Sequence, residues 1–289
     1  MKRPQWIMLS VAIFLVIGLF AATQGSLFGD KKGNITPPTA AAPHTDGFTT
    51  DSILYYAKQN LPQGQVARLA QLENSITRGD VAEQKLHLMH QLAAYWADSA
   101  RAFTAMAWYP YAYYTAEAAR LENSENSLSF AAHLFLGALA SEESHQVKHW
   151  DADQAKDLFE RSLKLNPAND SAKVGLGATI LYGGLGAPMT GIGMIREVVE
   201  KDSTNVFAQT TLGEASLLSG QLDKAIERFK KVIRLQPANL KATLLLADTY
   251  EKMNKKEEAA QAYRSSLPYI NNAEMKTEVE KRIIQLKTK

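Results

Sequence analysis

The sequence contains no cysteine. That absence excludes disulfide bonds, thiolate zinc sites, thiol nucleophiles and lipid attachment through cysteine, and it is compatible with an oxidising compartment. A surplus of one charge is lacking too: 32 basic and 30 acidic residues leave a formal net charge of +2. Such a balance carries no electrostatic footprint for nucleic acid. Phosphate-loop chemistry is also missing. The glycine-rich stretch 183–193 (GGLGAPMTGIG) has Met189 where the dinucleotide pattern needs glycine, and Ile192 where the Walker pattern needs lysine. No β-rich segment precedes it, so a flexible turn with close helix contact explains these glycines better. Nothing in the spacing of the 6 histidines favours a Ser-His-Asp arrangement. His145 and His149 stand four apart and would share a helix face, with Glu142, Glu143 and Asp151 near enough to add oxygen ligands to a metal. Gln146 occupies the place of the glutamate in a catalytic His-Glu-x-x-His, and His87 and His90 are weaker still. The expectation is a chain without catalytic, cofactor or metal residues, and not an enzyme.

What is present begins with an apolar run. Residues 6–23 (WIMLSVAIFLVIGLFAAT) are 18 consecutive residues without a charge, behind Lys2 and Arg3 in a short basic flank, 1–5. At 1.5 Å per residue they span roughly 27 Å, enough for a bilayer core. A cleaved signal peptide wants a shorter apolar core and a small-x-small exit, and Ala21-Ala22-Thr23-Gln24 offers a poor one. The run is therefore read as an uncleaved, single-pass transmembrane helix. Lys2 and Arg3 lie closer to it than Lys31 and Lys32, which favours an inside amino terminus. The expected location is a membrane, with the remainder of the chain in a bacterial periplasm.

Residues 24–50 are dominated by Gly, Pro, Thr and Ala without periodicity, as a flexible linker is. Residues 51–125 read as a divergent helical region. Ile53, Leu54, Ala57 and Leu61 fit a short helix ended by Pro62; Val66, Leu69, Leu72 and Ile76 fit a second, stopped by Gly79. Asp80 opens a third through Leu86, Met89, Leu92, Ala93 and Trp96, and Pro110 must kink or restart the helix beyond it. Trp108, Tyr109, Tyr111, Tyr113 and Tyr114 invite a ligand-platform reading, but aromatics at helical spacing are usually core.

Further along, the chain repeats itself. Leu212-Gly213, Ala225, Phe229 and Pro237 recur as Leu246-Ala247, Ala259, Tyr263 and Asn271, each 34 residues on (246−212, for example). Gly213 and Ala225 let two helices approach, and Phe229 fills the space beside that contact. Ser219-Gly220 breaks the first helix, Asp223 can help cap the second, and Pro237 stops it. Leu176-Gly177 and Gly191-x3-Ile195 repeat the pattern with two extra residues in the turn 183–188. Ala155-x3-Phe159 to Pro167 supplies the second half of an earlier unit, behind a polar insertion at 141–153 and a capping-box-like opening at Ser124.

This period and these positions resemble the tetratricopeptide repeat. The resemblance implies an all-α solenoid of antiparallel helix pairs: a lengthened unit at 126–169, repeats at 170–205, 206–239 and 240–271, and a capping helix at 272–289. Met275, Val279, Ile283 and Leu286 give that last helix one apolar stripe, which a terminal cap needs. In the family, first helices line a concave groove that holds a peptide or partner helix. On this register the groove candidates are Phe207, Thr210, Glu214 and Leu217, with Lys241, Leu244, Asp248 and Glu251 as counterparts. Some members clamp a terminal carboxylate with Lys and Asn. Here Thr210 with Glu214 and Leu244 with Asp248 stand at those places, so that clamp is not supported. The expected function is a membrane-anchored scaffold or adaptor for a protein or peptide, in envelope assembly, secretion or chaperone-like roles. The alternatives are a metal-binding protein or metal-dependent enzyme using His145 and His149, and a self-assembling homo-oligomer built through the helices around Trp108.

Overall fold

A computed structural model describes residues 49–59, 61–78, 82–102, 107–139 and 142–288. The flank 1–5, the anchor 6–23 and the linker as far as residue 48 lie outside the described residues, as do Gly79 and Asp80. Among the described residues there are thirteen α-helices and no strand, and no helix is long and apolar enough to cross a membrane. Two compact units divide the chain.

The first unit comprises, of the described residues, 49–175 with 182–185. Its helices are α1 (Thr50–Gln59), α2 (Gln63–Arg78), α3 (Ala82–Ala102), α4 (Trp108–Glu122), α5 (Glu125–Leu139) and α6 (His145–Leu165). Pro62 stands just before α2, and Pro110 is the third residue of α4, where a helix needs no intrahelical N–H donor. The helix therefore restarts at Trp108 and does not kink. Asn123 ends α4 with φ of 48°, and the Ser124 hydroxyl then accepts from the Ser127 N–H at 3.2 Å to open α5. Leu69, Met89, Leu92, Trp96, Tyr114 and Ala118 form one buried cluster. The Tyr114 hydroxyl leaves it to donate to Glu73 at 2.7 Å, and Lys58 pairs with the same carboxylate at 2.6 Å.

A second aromatic group gathers Trp108, Tyr109, Phe135 and Trp150. Their rings meet edge to face, with centroids 6.2 Å apart for Trp108–Phe135 and 5.4 Å for Phe135–Trp150. These faces are used on one another, as core aromatics use them. The segment 141–153 differs from the expected polar insertion. From His145 onward it is the start of α6, capped by the Ser144 hydroxyl, which accepts from the Val147 N–H at 3.4 Å. The polar residues face outward while Val147, Trp150, Asp151 and Ala152 are buried on the other side. A 3.6-residue period hidden among charged residues makes this stretch helical.

The second unit comprises 176–181 and 186–288 of the described residues, so α7 (Asp170–Gly183) contributes to both units. Its other helices are α8 (Pro188–Lys201), α9 (Val206–Leu218), α10 (Leu222–Leu235), α11 (Leu240–Lys252), α12 (Lys256–Ser266) and α13 (Ala273–Thr288), with a 3-10 turn at Leu267–Tyr269. Asparagine starts four helices in the same way. The side chains of Asn169, Asn205, Asn239 and Asn272 accept from the N–H groups of Ala172, Ala208, Ala242 and Met275, each at 2.9 Å. Each cap satisfies a donor that a helix start leaves orphaned. Asp223 does not cap α10: the cap position is Gln221, without a side-chain bond, and Asp223 lies in the first turn, where its charge favours the helix dipole.

The small residues of the repeat sit where helices touch. A Cβ on Gly213 would lie 2.6 Å from the ring of Phe229, and one on Gly177 would lie 2.7 Å from the carbonyl oxygen of Gly191. Phe229 is fully buried, worth about 1.5–3 kcal/mol of transfer free energy. Met275, Val279 and Ile283 are buried on the inner stripe of α13.

Candidate partner-binding face

The eight groove positions lie on α9 and α11, the first helices of two consecutive pairs. Caps at Asn205 and Asn239 start both helices in the same register, so residues 34 apart are structural counterparts. The structure divides the eight into three kinds. Thr210 and Leu244 are only 8% and 9% exposed, and the Thr210 hydroxyl is turned back onto the Val206 carbonyl at 2.8 Å. These two offer little surface to a partner. Side chains at those positions fall inward because α9 and α11 are apolar over more of their circumference than one stripe.

The charged positions are brought together in pairs. Lys241 on α11 reaches Glu214 on α9 at 2.5 Å, tying one first helix to the next. Glu251 is held by Arg282 of α13, whose Nε donates at 2.9 Å while Nη2 engages the second oxygen. Asp248 accepts from the Tyr263 hydroxyl of α12 at 2.5 Å. Burial pushes the Asp248 carboxyl up to about 6, with Glu251 adding to the shift, against the Tyr263 hydrogen bond and the cations Lys252 and Arg282. Phe207 and Leu217 are half-buried, and Leu218, the residue after Leu217, is 72% exposed.

Arg282, Tyr263 and Leu218 were not legible as members of this face. Tyr263 reads as the counterpart of the core residue Phe229, and only its hydroxyl distinguishes the role it takes. Arg282 lies on the outer side of the apolar stripe of α13, so its partner depends on how that helix packs.

The histidine alternative finds less support. His145 and His149 are both exposed, and His149 pairs with Asp153 at 3.0 Å. Asp151 is turned to the buried side of the same helix, away from them. No group of three His, Asp or Glu residues able to hold a metal ion occurs among the described residues. Glu142 accepts from the Tyr109 hydroxyl. Asp151 is fully buried with no hydrogen-bond partner for either oxygen, and burial together with Glu142 pushes its carboxyl up to about 8. In the glycine stretch, Gly184 takes φ of 69° to end α7 and Pro188 opens α8. It is a turn between two helices.

The recurring pairs define a helical-repeat protein, and residues 216–277 match the family model described as tetratricopeptide repeat. Solved structures similar to the chain include MamA (residues 41 to the end) from Desulfovibrio magneticus RS-1, 21% identical over 66% of this chain and 96% of that one, with a TM-score of 0.43. Another is YrrB, described as a TPR protein with an unusual peptide-binding site, 16% identical over 73% of this chain and 97% of that one, with a TM-score of 0.40. No curated protein matches the chain.

Proposed function

We propose that this chain is a scaffold or adaptor that binds a protein or peptide segment across α9 and α11, tethered to a membrane by residues 6–23 with the helical part outside the cytoplasm. The observation that carries the binding reading is the exposed Leu218 beside half-buried Leu217, one turn along α9 from the Glu214–Lys241 bridge. An apolar contact beside an oriented charge pair suits a partner segment of mixed character. The apolar run and its basic flank support the tether, and the absence of cysteine is compatible with the compartment. Envelope assembly, secretion and chaperone-like roles are the settings that suit such a protein.

The test is photocrosslinking in the native membrane with a photoreactive residue at Leu218 of the full chain. The expected result is one dominant captured protein whose yield collapses on Glu214→Lys. Capture of the same chain alone would move self-assembly to the front, and an unchanged yield on Glu214→Lys would sink the assignment of this face. Carbonate extraction of the membranes checks the tether: release of the intact chain would refute it.

A further inference from the structure

The helix α1 is held at both ends. At its start the Thr49 N–H donates to the Ser52 hydroxyl at 3.0 Å, while the Ser52 N–H donates to the Thr49 hydroxyl at 3.3 Å, a reciprocal cap. The indole N–H of Trp150 on α6 donates to the Thr50 hydroxyl at 3.2 Å. In the last turn of α1, Lys58 pairs with Glu73 of α2 at 2.6 Å. Ile53 and Ala57 are buried beneath. The outward face of α1 is thus presented in one orientation, and it carries Tyr55 and Tyr56.

These two differ from Tyr95, Tyr109 and Tyr114 of the same unit, whose hydroxyls donate to Gln65, Glu142 and Glu73. Tyr55 is 62% exposed and Tyr56 49%, and their rings meet edge to face at 5.5 Å. Neither hydroxyl has a hydrogen-bond partner among the described residues. A ring with an apolar body and a free hydroxyl suits a boundary that is apolar on one side and wet on the other. In sequence, α1 follows closely on residues 24–48, and a linker of that length averages on the order of 30 Å end to end. Such a linker, on the tether proposed above, keeps α1 close to the bilayer, so two rings suffice where they would not hold a free protein. Charge then decides which lipids count. Lys58 is engaged by Glu73 and Asp51 is exposed, so α1 offers no free cation to an anionic headgroup.

We propose that Tyr55 and Tyr56 form a bilayer-docking surface. They seat α1 at the boundary between headgroups and acyl chains by partition of the two rings, without selection for anionic lipid. The docking rests on the tether through residues 6–23.

The chain has no cysteine, so Gln59→Cys in the full chain takes a single NBD fluorophore at an exposed position one turn beyond the pair. The labelled protein is reconstituted into vesicles of phosphatidylcholine, alone or mixed with phosphatidylglycerol, that carry a lipid with a nitroxide just below the headgroup. Flotation reports the tether, and quenching reports the docking. In floated vesicles of both compositions the expected result is quenching that salt leaves unchanged. It should be lost in the Tyr55→Ser, Tyr56→Ser pair and kept in the Tyr55→Phe, Tyr56→Phe pair, which retains the rings. Both pairs leave Ile53, Ala57 and the caps of α1 in place. Floated protein without quenching would overturn the docking surface and leave the tether standing, whereas failure to float would remove both. Quenching only with phosphatidylglycerol would replace ring partition by charge and overturn the proposal. So would an emission change that follows the protein-to-lipid ratio without the nitroxide, which would place a second copy of the chain on this face.

Discussion

The two units solve the same packing problem by different means. In the second, one small residue and one aromatic recur at fixed register: Gly213 admits the ring of Phe229 from the helix that follows it. In the first, Phe159 holds the counterpart place but meets Gly175, a glycine of the next helix, where an added Cβ would come within 2.3 Å of the ring. The first unit also fills its interior with Trp and Tyr, whose polar ends need partners such as Glu73, Glu142 and Thr50. A regular repeat reuses one contact; a divergent one must place each polar tip individually. The second arrangement leaves more opportunity for an orphan, and Asp151 is one.

The largest expected effect tests whether the two phenylalanines are true counterparts. Phe229→Ala and Phe159→Ala should each destabilise their own unit by about 3–5 kcal/mol. Amide exchange read separately for residues 82–165 and 188–266 suits a chain with two units better than a single melting curve. Protection lost across both units in either variant would show that the division into two does not describe the energetics.

Asp151 sharpens the contrast. Its carboxyl rises from an ordinary 3.8 to about 8, so the folded chain holds this proton more tightly than the unfolded chain does. The contribution therefore favours folding most below the ordinary carboxyl range, and it is lost as pH rises from there towards 8. Asp151→Asn should stabilise the first unit by roughly 1–3 kcal/mol at pH 8 and by little at pH 4. Denaturant midpoints at the two pH values check this, and a gain that shrinks with rising pH would contradict the burial described.

The smallest effect concerns the helix starts. Asn239→Ala should cost about 1 kcal/mol, confined to α11 and its neighbours in the second unit, measurable as faster exchange at the α11 amino terminus.

Much of the second unit was legible because its signal is repetition. Leu212, Gly213, Ala225 and Phe229 recur at a fixed spacing, and the helices at 206–218 and 222–235 follow from them. The added pair of residues at 183–188 was legible for the same reason. Less accessible were features decided by side-chain direction and by neighbours distant in sequence. Asp223 stands two residues past a cap, and sequence alone does not fix which residue begins the helix. Segment 141–153 looked like an insertion because charge masks its buried stripe of Val147, Trp150 and Asp151. In the candidate face, Glu214 and Lys241 were chosen singly from register, yet their pairing depends on the packing of α9 beside α11. Thr210 and Leu244 were placed outward by the same register, and the apolar breadth of those helices turns them in.

The four asparagines that open α7, α9, α11 and α13 have a consequence for how this kind of chain can lengthen. Their spacings are 36, 34 and 33 residues, yet each following helix starts from the same local bond. Phase is thus re-struck at every cap and not carried forward by counting. An extra residue in a turn is absorbed where it arises, and the helices downstream never inherit the error. Such a chain tolerates insertions between its punctuation marks far better than within the phrases they open.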